Sequence, residues 1–197
     1  MKKLMIGVRL LAFVLLLTPS AKAQDTHPVS NKVSIEVDPL TFLFNGYSFH
    51  LRLQPKGSSH LFLGLGTYAL DLPDFMVNFN QKNRNRGWDV RLNQGHSAFA
   101  EYHFQEVNNG WFTGVQAGLQ EHRLENSEAP GRSSYRNLLL MTYGGYAWSI
   151  PRSKFYLKFW GGLGYSDQVS GSNELENAVY NISPISWFGT FHVGYWL

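Results

Sequence analysis

From residue 33 the chain alternates. VSIEV sets Val33, Ile35 and Val37 on one face and Ser34 and Glu36 on the other, the period of two that marks a strand with two unlike faces. YSFHLRLQ repeats the pattern, with Tyr47, Phe49, Leu51 and Leu53 opposite Ser48, His50, Arg52 and Gln54. In HLFLGLGTY (60–68), Leu61, Leu63 and Leu65 oppose Phe62, Gly64 and Gly66, and in SAFAEYHF (97–104) Tyr102 and Phe104 oppose Glu101 and His103. WFTGVQAGLQEHRL (111–124), YRNLLLMTYGGYAW (135–148), KFYLKFWGGLGYS (154–166) and SWFGTFHVGYWL (186–197) complete a set of eight predicted strands.

The connections alternate in kind. PKGSS (55–59), EVNNG (106–110) and IPRS (150–153) are short turns, whereas 69–95, 125–134 and 167–183 are long and polar. Asn45-Gly46 reads as a tight hairpin that breaks this scheme, because both residue types tolerate positive φ. Pro39 falls inside the first strand pattern and predicts a bend or bulge there. Phe75, Val77 and Phe79 alternate, which extends the strand expectation into the longest loop.

Segments of this length suit strands that cross a bilayer at the tilt of a barrel, where about 9–11 residues suffice. In a closed barrel the last strand pairs with the first, which accounts for a chain that stops on an apolar alternation, with Trp187, Phe191, Val193, Tyr195 and Leu197 on one face. The expected fold is all-β: an eight-stranded antiparallel up-and-down transmembrane β-barrel over 32–197, preceded by a cleaved signal peptide. That peptide is read in residues 1–23, where Lys2, Lys3 and Arg9 precede the apolar run 10–17 and Ala21-Lys22-Ala23 offers a cleavage site. A short polar lead, 24–31, follows.

The signal peptide changes the charge. The whole chain carries 17 Lys and Arg against 14 Asp and Glu, but four of those cations lie in residues 1–23, so the remainder is nearly neutral and the basic balance implies no nucleic-acid partner. With no cysteine there is neither a disulfide framework nor a thiolate metal site. An aromatic share of 15% and 19 glycines lean towards β-structure with aromatic surfaces.

The eight alternating segments and an ending of VGYWL resemble the small outer-membrane β-barrel proteins of Gram-negative bacteria, and in particular the single-barrel families common in Bacteroidetes. The resemblance implies an outer-membrane location, contact with outer-membrane lipid and lipopolysaccharide, insertion by the barrel-assembly machinery, and a structural or interaction role, including service beside a larger outer-membrane complex. The final strand of that family typically ends in Phe or Trp, whereas here Leu197 follows Trp196.

With apolar faces to lipid, a polar set falls inside: Glu36, His50, Arg52, Glu101, His103, Lys158 and His192, with Gln116 and Gln120. An eight-stranded barrel is just wide enough for side chains to fill, so this mixed-sign set is expected to neutralise itself as a plug, Arg52 and Lys158 finding Glu36 or Glu101. Strand glycines at 114, 118, 144, 145, 161, 162 and 164 are read as relief from crowding.

No catalytic residue is assigned. Lipid A deacylases carry a His-x-Ser-Asn pattern; here Ser48-Phe49-His50 has the reverse order, and His96-Ser97 are neighbours on opposite faces. Ser48 and His50 share a face, which keeps a lipid-modifying enzyme as the alternative. A soluble lipocalin-like barrel would need the faces reversed. No metal is expected, since the histidines show neither HxH nor HxxxH spacing, and no cofactor motif is present. Lys82, Arg84 and Arg86, in the longest loop, are candidates for contact with an anionic surface.

Overall fold

The computed structural model describes residue 28 and residues 30–197; the signal-peptide reading of 1–23 lies outside the described residues. Eight antiparallel strands close into a barrel in the order β1-β10-β7-β6-β5-β4-β3-β2. They are β1 (Lys32–Val37), β2 (Tyr47–Gln54), β3 (Leu61–Asp71), β4 (Trp88–His103), β5 (Gly110–Asn126), β6 (Ala129–Ser149), β7 (Phe155–Gly171) and β10 (Ile185–Trp196). Two-residue strands β8 (Glu174–Leu175) and β9 (Ala178–Val179) form a small hairpin outside the barrel sheet. Closure joins β1 to β10, with Ile35 opposite Tyr195 and Leu197 donating its backbone N–H to Val33 at 3.0 Å.

The first connection is not a two-residue hairpin. Asp38 caps a one-turn helix, α1 (Pro39–Leu43), accepting from the Leu40 N–H at 2.9 Å. Pro39 is therefore a helix-start residue rather than a strand bulge, since its fixed φ and missing N–H suit that position. Asn45 does adopt positive φ, at 51°, but it leads out of the helix. Gly46 is required by close approach, because a Cβ there would lie 2.0 Å from the Ala69 carbonyl. This connection thus joins the others at the loop end, opposite the short turns.

Further expectations fail in the same region, where strand also enters the expected loops 69–95 and 167–183, β4 beginning at Trp88 and β7 running to Gly171. Residues 125–134 are mostly strand: β5 and β6 continue past the polar positions and meet at Ser127-Glu128. Residues 75–79 form no strand; Asp74–Val77 is a single helical turn, α2, and Asn78 ends it. The result is a barrel of unequal walls. β4 to β7 have 16 to 21 residues, whereas β1 and β2 have 6 and 8.

Outward positions are apolar near the turn end and charged near the loop end. On β5 the outward face runs Trp111, Val115 and Leu119, then Glu121, Arg123 and Glu125. On β6 it runs Trp148, Tyr146, Leu140 and Leu138, then Arg136. The switch occurs in register, since Leu119 faces Leu138 and Glu121 faces Arg136. The interior changes in the opposite sense. Near the loop end it is an apolar cluster of Val77, Trp88, Val90, Leu124, Tyr135 and Tyr180, closed over by α2 and the β8–β9 hairpin.

Candidate functional site

Alternation alone brings most of the interior charges together. Glu36 is on β1, Arg52 on β2, Glu101 on β4 and Lys158 on β7, all inward and at most 2% exposed. The Arg52 guanidinium bridges both carboxylates, Nη1 to Glu36 Oε1 and Nη2 to Glu101 Oε2. Lys158 Nζ bridges them again, 2.9 Å from Glu36 Oε2 and 2.8 Å from Glu101 Oε1. Two cations and two carboxylates therefore form a closed, formally neutral quartet, the arrangement that offsets the cost of burying ions.

Neutral partners complete it. Tyr143 donates its hydroxyl to Glu101 Oε1 at 3.0 Å, and Arg52 Nη1 donates to Tyr156 Oη at 3.0 Å and to Asn108 Oδ1 at 3.2 Å. The guanidinium also lies 3.9 Å above the Phe62 ring, where the aromatic face favours a cation. Trp160 Nε1, which can only donate, meets His192 Nε2 at 3.2 Å; Nδ1 then carries the proton and donates to Glu36 Oε2 at 2.9 Å. His103 Nε2 lies 3.4 Å from Glu101, and His50 stacks on His192 with ring centres 4.9 Å apart.

Space for these side chains comes from glycines. A Cβ at Gly194 would stand 2.1 Å from Tyr156 Cζ, and one at Gly64 would stand 2.2 Å from Phe99 Cζ. What remains is a cavity of about 20 Å³ beside His50, Gln116, Lys158 and His192, room for one water molecule. One wall departs from the expected polar lining. β6 contributes Leu139, Met141, Tyr143 and Ala147 inward, so between Leu138 and Trp148 this strand is largely apolar on both faces.

Asn108 is the residue that sequence reasoning missed. It sits in the turn between β4 and β5 with φ of 60°, fully buried, and its N–H donates to His103 Nδ1 at 3.3 Å while its carbonyl accepts from Ser149 Oγ at 3.0 Å. The NNG triplet signals a turn and conceals that one of its amides folds back into the barrel. Tyr143 and Tyr156, by contrast, could have been found from strand parity.

The Ser48–His50 pair is close, with Oγ 3.3 Å from Nδ1, but both residues are buried on the inner face. An acyl substrate arriving from the apolar outer face would meet Phe49 and Leu51 instead. Lys82, Arg84 and Arg86 lie elsewhere, exposed at the loop end on the connection between β3 and β4, and the structure does not bring them to the quartet.

No family model matches the sequence, and no curated protein matches it. Two solved structures are similar. One is the N-terminal β-barrel domain of Pseudomonas aeruginosa OprF, over 87% of this chain and 100% of that one, at 15% identity and a TM-score of 0.43. The other is Neisserial surface protein A, NspA, over 84% of this chain and 94% of that one, at 12% identity and a TM-score of 0.39.

Proposed function

We propose that the chain is an integral outer-membrane β-barrel of Gram-negative bacteria with a structural or interaction role, its interior closed to solute flow. The observation that supports this reading is inverted polarity. Leu51, Leu65, Leu140, Phe159 and Leu163 stand outward and exposed around the barrel, while the ionic quartet is inside. In water that band would be a large apolar patch with no cover; in hydrocarbon it is the solvated face. A closed barrel also satisfies every strand's backbone groups, which lipid demands. Aromatic residues gather at the turn-end rim, Trp111 against Tyr146 and Phe155 against Tyr195, as at a headgroup boundary.

The filled interior favours surface contact, envelope integrity or an accessory place beside a larger outer-membrane complex over transport. It also leaves no room for a lipocalin-type ligand. The partners of this reading are outer-membrane lipid, lipopolysaccharide and, during insertion, the barrel-assembly machinery, and the reading extends to the Bacteroidetes single-barrel families that the strand pattern resembles. The test is gel mobility of detergent-extracted protein with and without boiling. A faster unboiled band from a fraction that needs detergent is expected. Release without detergent, and with no mobility difference, would overturn the proposal.

A further inference from the structure

The cations at the loop end fall into two groups. Arg91 pairs with Asp71, Arg123 and Arg132 with Glu125 at 3.2 and 2.8 Å, and Arg136 with Glu121 at 2.7 Å. Lys82, Arg84 and Arg86 make no ion pair among the described residues, although they lie within five positions of one another and are exposed. Acids have been placed against every neighbouring cation except these three.

Their backbone is nevertheless held. Asn83, 1% exposed, clasps the opposite loop by two bonds: its Nδ2 donates to the Asn181 carbonyl at 3.0 Å, and its Oδ1 accepts the Asn181 N–H at 2.8 Å. Asn80 Oδ1 accepts the Lys82 N–H at 3.1 Å, and Asn126 Nδ2 donates to the Arg86 carbonyl at 2.7 Å. Asn85 and Gly87 take positive φ of 57° and 67°, the reversals that turn the segment back to β4. Neutral amides do all the anchoring, and the charged side chains are left unspent.

The surroundings narrow the ligand. Phe75, on the same connection, stacks on Trp187 of β10, with ring centres 6.4 Å apart. Trp187 belongs to the outward face that continues with Phe191 and Val193, so the connection that carries these cations packs, through Phe75, on the upper edge of the apolar band. Beside Lys82 opens a polar cleft of about 420 Å³, lined also by Ser166, Asp167, Gln168, Asn173 and Asn181. That volume is in the ordinary range for a small-ligand site. Asp167 shares the cleft with Lys82 without forming an ion pair.

We infer that this segment docks a phosphorylated glycolipid of the outer leaflet, its phosphates on Lys82, Arg84 and Arg86 and its sugar in the adjacent cleft. Guanidinium forks match phosphate oxygens in pairs, and a held backbone lowers the ordering cost of binding. Hydroxyl, amide and carboxylate groups in the cleft suit sugar hydroxyls, which a simple phospholipid lacks. The inference rests on the membrane reading above.

The experiment compares purified lipopolysaccharide, its dephosphorylated form and phosphatidylglycerol as ligands for the full barrel in detergent micelles. The triple variant K82A/R84A/R86A is set against R123A/R132A/R136A, which removes the same charge from paired positions on the same end. At least a tenfold loss of lipopolysaccharide affinity is expected for the first triple and less than threefold for the second. Dephosphorylated ligand should bind wild type as weakly as intact ligand binds the first triple. Equal losses in both triples, or no loss in either, would overturn the site. Phosphatidylglycerol binding as tightly as lipopolysaccharide would overturn the glycolipid assignment, and full displacement by inorganic phosphate would overturn the lipid one. Gel mobility is scored on every sample. A wild type without the boiling-dependent shift rejects the membrane reading separately, and variants that keep the shift show that any lost affinity is not lost fold.

Discussion

The two halves of this barrel solve burial in opposite ways. Near the turn end the centre is ionic, with Glu36, Arg52, Glu101 and Lys158, and the outside is Leu, Phe and Trp. Near the loop end the centre is Trp88, Val90, Leu124, Tyr135 and Tyr180, and the outside is Arg91, Glu121, Arg123 and Arg136. One set of strands, β4 to β7, runs through both arrangements without a break. The loop end is an ordinary water-soluble core on top of an inverted one. The lesson is that a strand's interior is chosen against its exterior, and the solvent outside decides which side carries charge.

The strongest way to break this contrast is to remove one member of the quartet. Arg52→Met leaves two carboxylates with Lys158 alone and is expected to cost about 3–5 kcal/mol, as a broken buried pair does. Denaturant titration in micelles, followed by gel mobility, measures it. Glu36→Gln added to Arg52→Met should recover part of the loss, because the remaining Glu101–Lys158 pair is neutral again. A double variant that sums the single losses would dismiss the coupling.

At the loop end the corresponding change is Leu124→Ala, expected to cost about 2–5 kcal/mol locally through an unfilled cavity. The effect should be confined: faster protease cleavage in 72–87 and 172–184, with the boiling-dependent mobility retained. Loss of both together would mean that the halves unfold as one unit.

A third test places the boundary between them. Leu140→Arg, inside the apolar band, should cost about 2–4 kcal/mol for folding into vesicles, falling to about 0–1 kcal/mol near the interface. Leu138→Arg, one outward step towards Arg136, should therefore cost less. Equal penalties at both positions would move the boundary above residue 138.

The smallest effect concerns alkali. Burial in the loop-end core pushes the Tyr180 phenol up to about 12 from an unfolded value near 10. The folded state thus holds its proton more tightly. The associated stability is complete below about pH 10 and is lost as pH rises through the folded value. Ultraviolet titration of the tyrosines should show this group ionising late, together with increased cleavage of the loop-end connections. Ionisation near pH 10 without such opening would contradict its burial.

Parity made much of this legible. Once VSIEV and YSFHLRLQ alternate, Glu36, His50 and Arg52 share a side, and closure of an eight-stranded sheet leaves them nowhere else to meet. The failures also have a common cause. Residues 125–134 read as a loop because above the band the outward face turns to Glu, Arg and Ser, so the apolar alternation that marks a strand disappears while the strand continues. Pro39 and Phe75 read as strand because segments of four or five residues are too short for periodicity to separate a strand from a single helical turn. Asn108 could not be found, since its role depends on a turn bending back towards Arg52 from 56 residues away.

The sequence by itself determined the number of barrel strands, their alternating faces and the sign of each inward charge, because those follow from a period of two and short-range turn chemistry. Only the tertiary structure decided which charges pair, where the interior changes from ionic to apolar, and that three cations in one loop make no ion pair among the described residues. Those are distances between strands and loops far apart in sequence, set by the registers and glycine-permitted contacts of a closed sheet.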